Sequence, residues 1–298
     1  MMPSSSHSNI RFIAPFSRNL TSPYDPVLDP PYLTVWDFEK FSLDYWRVWL
    51  GVNWTWSVYI SGIYLSAIFG IQLLMKNRPP FSLRNVLTGW NFFLAVFSLL
   101  GAMRTFPEMV FILTKNVEGF GQGFHLSVCQ RENHNQASAF WGLLFTLSKA
   151  VELGDTVFIV LRKQPLIFLH WYHHITVLGY TWFTYESYDA TSRWFMVMNY
   201  MVHSLMYTYY GLKSLRISVP RFVSMLITTL QLSQMIVGVF VNVYAYYVKT
   251  QGVNCLVETK HINLALIMYV SYFILFGNFF YNAYFNRKRI AMSAKKAK

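Results

Sequence analysis

The chain has 298 residues, of which 54% are hydrophobic, 19% aromatic and only 13% charged, with a net charge of +12. That is far more apolar surface than an ordinary soluble domain needs, which excludes one and makes a bilayer the expected solvent. The positive excess reads as an orientation signal at membrane edges and not as a nucleic-acid footprint.

Residues 1–55 read as a tail of Ser, Pro and scattered charges, without the basic start, apolar core and small-residue cleavage site of a removable signal peptide. The tail carries two glycosylation sequons, Asn19-Leu20-Thr21 and Asn53-Trp54-Thr55. Apolar runs long enough to cross a hydrocarbon core follow at 58–75, 86–113, 139–161, 166–185, 194–212, 222–248 and 262–285. The expected fold is therefore an all-α integral membrane protein: a seven-helix membrane domain over 56–286, then a basic tail at 287–298. In the second run Arg104 and Glu108, one turn apart, read as an internal ion pair. The stretch from Lys115 to Gln136 is polar and Gly-rich and needs no regular structure. Pro165 and Pro220 are read as standing just inside the starts of the fourth and sixth spans, where a missing N–H costs least.

An odd number of spans puts the termini on opposite sides, and the positive-inside rule assigns the C-terminus to the cytosol. Lys76, Arg78, Arg84, Arg162, Lys163, Lys213, Arg216, Arg221 and the basic tail then share that side, against Lys115, Arg131, Arg193, Lys249 and Lys260 in the opposite loops. Cys129 and Cys255 fall in two lumenal loops, where a disulfide is permitted. Lys295 and Lys296, fourth and third from the end, resemble a dilysine retrieval signal, which points to the endoplasmic reticulum membrane with a lumenal N-terminus.

Ionisable groups inside a membrane mark function by default. The third span holds Lys149, Glu152 and Asp155 in KAVELGDT, an i, i+3, i+6 set within an arc of about 120° that can face one cavity. The fourth opens with His170, His173 and His174 in HWYHH. The fifth gives Asn199, His203, Met206, Tyr207 and Tyr210 in NYMVHSLMYTYY, and the sixth Thr228, Gln231 and Gln234 in TTLQLSQ. Measured along each helix, these groups lie about 8–20 Å below the cytosolic edge. One chamber open to the cytosol explains the alignment. The carboxylates and lysine read equally well as a satisfied internal network, and the glutamines as helix-to-helix hydrogen bonds. Three histidines in five residues at membrane depth resist a purely structural reading.

Imidazole at this density suits non-haem iron, as in membrane desaturases and hydroxylases. His7, His125, His134 and His261 fall elsewhere, however, and the four left in the chamber are too few for a di-iron centre unless Glu152 and Asp155 join. Seven spans also fit a receptor or transporter, but neither exterior ligand contacts nor broken midplane helices are evident.

KAVELGDT, HWYHH, NYMVHSLMYTYY and TTLQLSQ, in this order on successive spans, resemble the four signatures of the very-long-chain fatty acid elongases, the membrane 3-ketoacyl-CoA synthases. The Trp171-Tyr172 pair within LRKQPLIFLHWYHHITVL is similar to the branch acting on saturated and monounsaturated chains of about palmitoyl length. The resemblance implies decarboxylative condensation of acyl-CoA with malonyl-CoA to 3-ketoacyl-CoA, carbon dioxide and CoA, with no metal or other cofactor. The cysteines lie across the membrane from the chamber, so another nucleophile is needed, and imidazole is a competent acyl carrier. The expectation is an acyl-imidazole on His173, with His203 orienting the acyl group and His170 and His174 assisting proton movement and enolate stabilisation. Lys149, Glu152 and Asp155 set the chamber's charge, and Asn199, Met206, Tyr207, Tyr210, Gln231 and Gln234 line it. The acyl tail would fill an apolar tunnel running toward the lumenal half, while Arg162, Lys163, Lys213, Arg216 and Arg221 meet the anionic CoA at the rim. Expected partners are the bilayer and the ketoacyl-CoA reductase, hydroxyacyl-CoA dehydratase and enoyl-CoA reductase that complete the cycle. A homo-oligomer is left open.

Overall fold

The computed structural model describes residues 24–115, 120–131 and 134–286. The sequon at Asn19 and the basic tail with Lys295 and Lys296 lie outside the described residues. In chain order the described helices are α1 (Leu43–Asn53), α2 (Trp56–Met75), α3 (Arg84–Thr114), α4 (Phe120–Cys129), α5 (Gln136–Val151), α6 (Gly154–Leu161), α7 (Phe168–Thr184), α8 (Ser192–Ser214), α9 (Arg221–Thr250) and α10 (Thr259–Phe280), the last continued by a wide turn over Tyr281–Asn286.

Among the described residues four helices are long and apolar enough to cross a membrane: Trp56–Met75, Arg84–Thr114, Arg221–Thr250 and the run Thr259–Phe285. The expected third span is not one helix, because the chain breaks at Glu152 and Leu153 between α5 and α6. With 17 residues, α7 is short, and α8 has the length but interleaves Asn199, His203 and several hydroxyls among its apolar residues. The helices that fall below a membrane criterion are those bearing the polar signatures, since side chains facing an interior cavity dilute the apolar signal that lipid-facing helices keep.

The bundle presents its apolar side outward. Ile63 and Leu73 on α2, Phe93 and Met103 on α3, Phe240 on α9 and Ile267 on α10 are all exposed, a surface suited to lipid and not to water. Inside, α3 and α8 run against each other. Gly101 permits that approach, because a Cβ there would come within 2.5 Å of the Tyr200 ring. The Tyr200 hydroxyl donates to the carbonyl of Trp141 at 2.9 Å and so ties α8 to α5.

At one end of the bundle short helices and connecting segments pack together as a cap. Cys129, at the end of α4, is disulfide-bonded to Cys255 just before α10, and Leu256 N–H donates to the Cys129 carbonyl at 2.8 Å. Residues 24–41 pass across the start of α5, where Val27 exchanges backbone hydrogen bonds with His134 and Gln136. Glu39 is fully buried there and accepts from Arg104 Nε and Nη2 at 2.8 and 2.6 Å and from Trp141 Nε1 at 2.9 Å. Burial acts to raise the Glu39 carboxyl, but the hydrogen bonds from Arg104, the Trp36 N–H and Trp141 outweigh it and hold its pKa below the ordinary carboxylate value.

Three expectations are corrected here. Arg104 and Glu108 are not partners: Arg104 takes Glu39, while Glu108 takes His134 Nδ1 at 2.7 Å and lies 3.6 Å from Arg193 Nε. The stretch between Lys115 and Gln136 contains α4, whose Phe124 packs against Trp194 and Tyr244. Pro220 and Pro165 precede α9 and α7 instead of standing inside them, which spares each helix an interior proline.

Candidate active site

Two adjoining cavities run down the middle of the bundle. The wider, of about 870 Å³, opens at the end opposite the cap and is walled by the start of α3, by α6, α7, α8 and α9 and by the end of α10. The narrower, of about 110 Å³, continues toward the cap between α5, α7, α8, α9 and α10. His173, Asn199, Gln234 and Met235 line both and therefore mark the junction.

Most of the sequence-nominated side chains face the wide chamber: Asp155, His170, His173, His174, Asn199, His203, Met206, Tyr207, Tyr210, Gln231 and Gln234, with Arg162, Lys213 and Arg221 also among its lining residues. Lys149 and Glu152, 2% and 4% exposed, line neither cavity. The helix break explains this. Lys149 and Glu152 pair with each other at 2.7 Å behind the chamber wall, whereas Asp155, on the next helix, turns toward α3 and α8. Its carboxylate accepts from Trp90 Nε1 at 2.6 Å and from the Tyr207 hydroxyl at 2.7 Å. Gly154 makes room, since a Cβ there would stand 2.9 Å from the Trp90 ring. The expectation that the three share one cavity is thus corrected. Lys163 and Arg216 also do not line the chamber. Lys163 caps the end of α2 by donating to the carbonyls of Lys76 and Arg78 at 3.1 and 2.9 Å.

Hydrogen bonds differentiate the four histidines. Lys149 Nζ donates to Asn199 Oδ1 at 3.0 Å, which turns the Asn199 amide nitrogen toward His203 Nε2, also at 3.0 Å. His203 Nε2 must then accept, and its proton sits on Nδ1, 3.9 Å from Glu152 Oε2. His170 Nε2 lies 2.9 Å from Thr156 Oγ1, which lies 2.7 Å from the Tyr64 hydroxyl. His173 and His174 have no side-chain hydrogen bond among the described residues. The His173 ring is held by aromatic neighbours instead, with the Tyr272, His174 and Phe276 ring centroids at 4.9, 5.7 and 6.2 Å.

Comparison with known proteins covers most of the chain. A family model described as "ELO: GNS1/SUR4 family" matches residues 49–292. The chain belongs to the fatty acid elongase family. Very long chain fatty acid elongase 6 of Drosophila melanogaster is 52% identical over 265 residues, 87% of this chain and 82% of the relative. The Homo sapiens protein of the same name is 44% identical over 265 residues, covering 88% and 97% of the two chains. Very long chain fatty acid elongase 3 of Mus musculus is 39% identical over 282 residues, covering 94% and 96%.

Several residues of this elongase's site escaped the sequence reading. Trp90 orients Asp155, Tyr64 and Thr156 form a chain ending on His170, and Tyr272 and Phe276 flank His173. Tyr272 and Phe276 are one turn apart on α10 and share a face, a signal lost among 26 Phe and 20 Tyr. Thr156 stands inside the KAVELGDT signature. Among the described residues no group of three His, Cys, Asp or Glu side chains is placed to hold a metal ion.

Proposed function

We propose that this elongase performs the carbon–carbon bond-forming step, decarboxylative condensation of a long-chain acyl-CoA with malonyl-CoA, through an acyl-imidazole on His173. The observation that carries the reading is the position of His173: it lines both the wide chamber and the narrow tunnel, and its imidazole has no hydrogen-bond partner among the described residues. A thioester carbon at that junction would have its CoA in the chamber and its tail in the tunnel.

His173 attacks the thioester carbon, the C–S bond breaks, and the imidazole proton leaves with the departing CoA thiolate. Malonyl-CoA then loses carbon dioxide, and the resulting enolate carbon attacks the acyl carbon. The C–N bond breaks, 3-ketoacyl-CoA forms, and the released imidazolate takes a proton from solvent. His203, with its Nδ1 proton fixed, orients the acyl group, and His170 and His174 assist with protons and the enolate. Arg162, Lys213 and Arg221 offer positive charge to the CoA phosphates at the chamber mouth.

The tunnel supports a long tail. From His173 to Thr184 along α7 it covers about 16 Å, and Tyr188 lies beyond. An extended chain advances about 1.25 Å per carbon, so about 13 carbons reach Thr184, which favours acyl groups near palmitoyl length. On this reading α5–α6, α7 and α8 complete seven crossings. The cap is lumenal and the chamber cytosolic in the endoplasmic reticulum membrane, with Asn19 and Asn53 as glycan acceptors and the three later enzymes of the cycle as partners. No metal or redox cofactor is required.

Intact mass of the purified protein with palmitoyl-CoA and no malonyl-CoA tests the intermediate. An added acyl mass, absent in His173→Ala and discharged by malonyl-CoA into ketoacyl product, is expected. Active condensation with no adduct would replace the intermediate by direct transfer, and bound iron without condensation would replace the reading altogether.

A further inference from the structure

The chain Tyr64–Thr156–His170 crosses three helices, and the condensation as stated above uses only its last member, His170. Tyr64 on α2 is 6% exposed and Thr156 on α6 is fully buried. The Tyr64 hydroxyl lies 2.7 Å from Thr156 Oγ1, and Thr156 Oγ1 lies 2.9 Å from His170 Nε2. Thr156 lines neither cavity, whereas His170 lines the chamber. Nε2 is therefore turned into the wall, and Nδ1 is the nitrogen left for the chamber.

One proton arrangement, in which Thr156 accepts from both Tyr64 and His170, leaves the buried Thr156 proton with no acceptor among the described residues, and two others fit these distances. In one, His170 Nε2–H donates to Thr156, Thr156 donates to Tyr64, and the Tyr64 proton needs a further acceptor. Among the described residues the Tyr64 hydroxyl has Thr156 as its one hydrogen-bond partner, so this arrangement strands a buried donor. In the other, Tyr64 donates to Thr156, Thr156 donates to His170 Nε2, and every proton in the chain has an acceptor. An orphaned buried donor is the rarer and costlier defect, whereas an oxygen accepting less than its capacity is common. The second arrangement prevails, and it leaves Nε2 unprotonated with the imidazole proton on Nδ1.

We infer that Tyr64 and Thr156 are positioning residues that fix His170 as the Nδ1–H tautomer, so that it presents a hydrogen-bond donor to the chamber and stabilises the enolate oxygen of decarboxylated malonyl-CoA instead of acting as a base. This rests on the condensation reading and deepens it. A neutral donor held in place before the charge develops stabilises the enolate without reorganising at the moment of reaction. His173 attacks and His170 donates, one turn apart on α7, and the division of labour is set by which of them has a hydroxyl behind it.

The test is nitrogen NMR on full-length protein labelled with ¹⁵N-histidine in nanodiscs, with the His170 signals assigned by their loss in His170→Asn. A protonated Nδ1 and an unprotonated Nε2 are expected, and the opposite pattern, or fast exchange between tautomers, overturns the inference. In parallel, Thr156→Val should lower the condensation kcat by about ten- to a hundredfold while leaving formation of the acyl adduct from palmitoyl-CoA unchanged. Thr156→Ser should restore kcat, and Tyr64→Phe should fall between. Equal activity of the Val and Ser variants overturns the positioning role. The tautomer measurement needs no acyl-histidine. The expected spectrum with no adduct in wild type would fault the proposed intermediate alone, and an adduct with the opposite tautomer would fault this inference alone.

Discussion

The molecule carries two concentrations of buried ionisable groups, one at each end of its central void, and they are built on opposite rules. In the cap each named carboxylate has a basic partner: Glu39 with Arg104, Glu108 with His134 and Arg193, Asp189 with His261 at 2.6 Å. In the chamber Lys149 and Glu152 neutralise each other inside the wall, and the histidines beside the void include two with no side-chain hydrogen bond among the described residues. Paired groups hold a shape and are expensive to separate. Nitrogens left without partners add nothing to stability and are the ones available to a substrate.

The sharpest way to break this contrast is to remove His173. His173→Ala should cut condensation by more than about a thousandfold, about 4 kcal/mol of barrier, with an unchanged melting temperature in detergent. A stability loss with residual activity would mean that His173 belongs to the structural class. The converse change is Arg104→Met, which leaves the fully buried Glu39 without its counter-charge. It should destabilise by about 3–5 kcal/mol while the folded fraction keeps its kcat, and adding Glu39→Gln should recover most of the loss, all read from thermal melts.

A change between the two regions sharpens the comparison. Thr184 lines the narrow tunnel, and Thr184→Trp should move the preferred acyl-CoA shorter by about four carbons, from about 1.25 Å per carbon, as read from product chain lengths. The smallest effect is one of pH. Because the folded Glu39 pKa is depressed, its contribution to stability is present at neutral pH and is lost as pH falls through the folded value, below the ordinary 4.5. The melting temperature of the wild type should therefore fall more steeply in acid than that of Glu39→Gln.

What the sequence could and could not disclose follows the same division. HWYHH and NYMVHSLMYTYY each lie within one helix, α7 and α8, so their spacing alone put His170, His173, His174 and His203 on cavity-facing positions. KAVELGDT misled because its helix breaks at Glu152 and Leu153, so that Asp155 meets α3 and α8 while Lys149 stays behind the wall. The partners of Arg104 and Glu108 lie 65 and 26 residues away, at Glu39 and His134. Local periodicity shows which face a charge occupies and says nothing about which distant segment docks on that face. Thr156 was invisible for a related reason: a threonine one place after Asp155 earns notice only when Tyr64 and His170 are seen on either side of it.

The junction at His173 has a kinetic meaning as well as a chemical one. On the proposed chemistry an acyl chain enters from the chamber with its methyl end leading, toward the cap residues His134, Tyr185 and Tyr188 that line the tunnel. The product, two carbons longer, then withdraws along the route by which its precursor arrived. The tunnel behaves as a scabbard and not as a conveyor. On that proposal each round of lengthening ends in complete release, the later reactions of the cycle happen on a free thioester, and successive elongations are distributive encounters paced by how slowly the lengthened chain is drawn out.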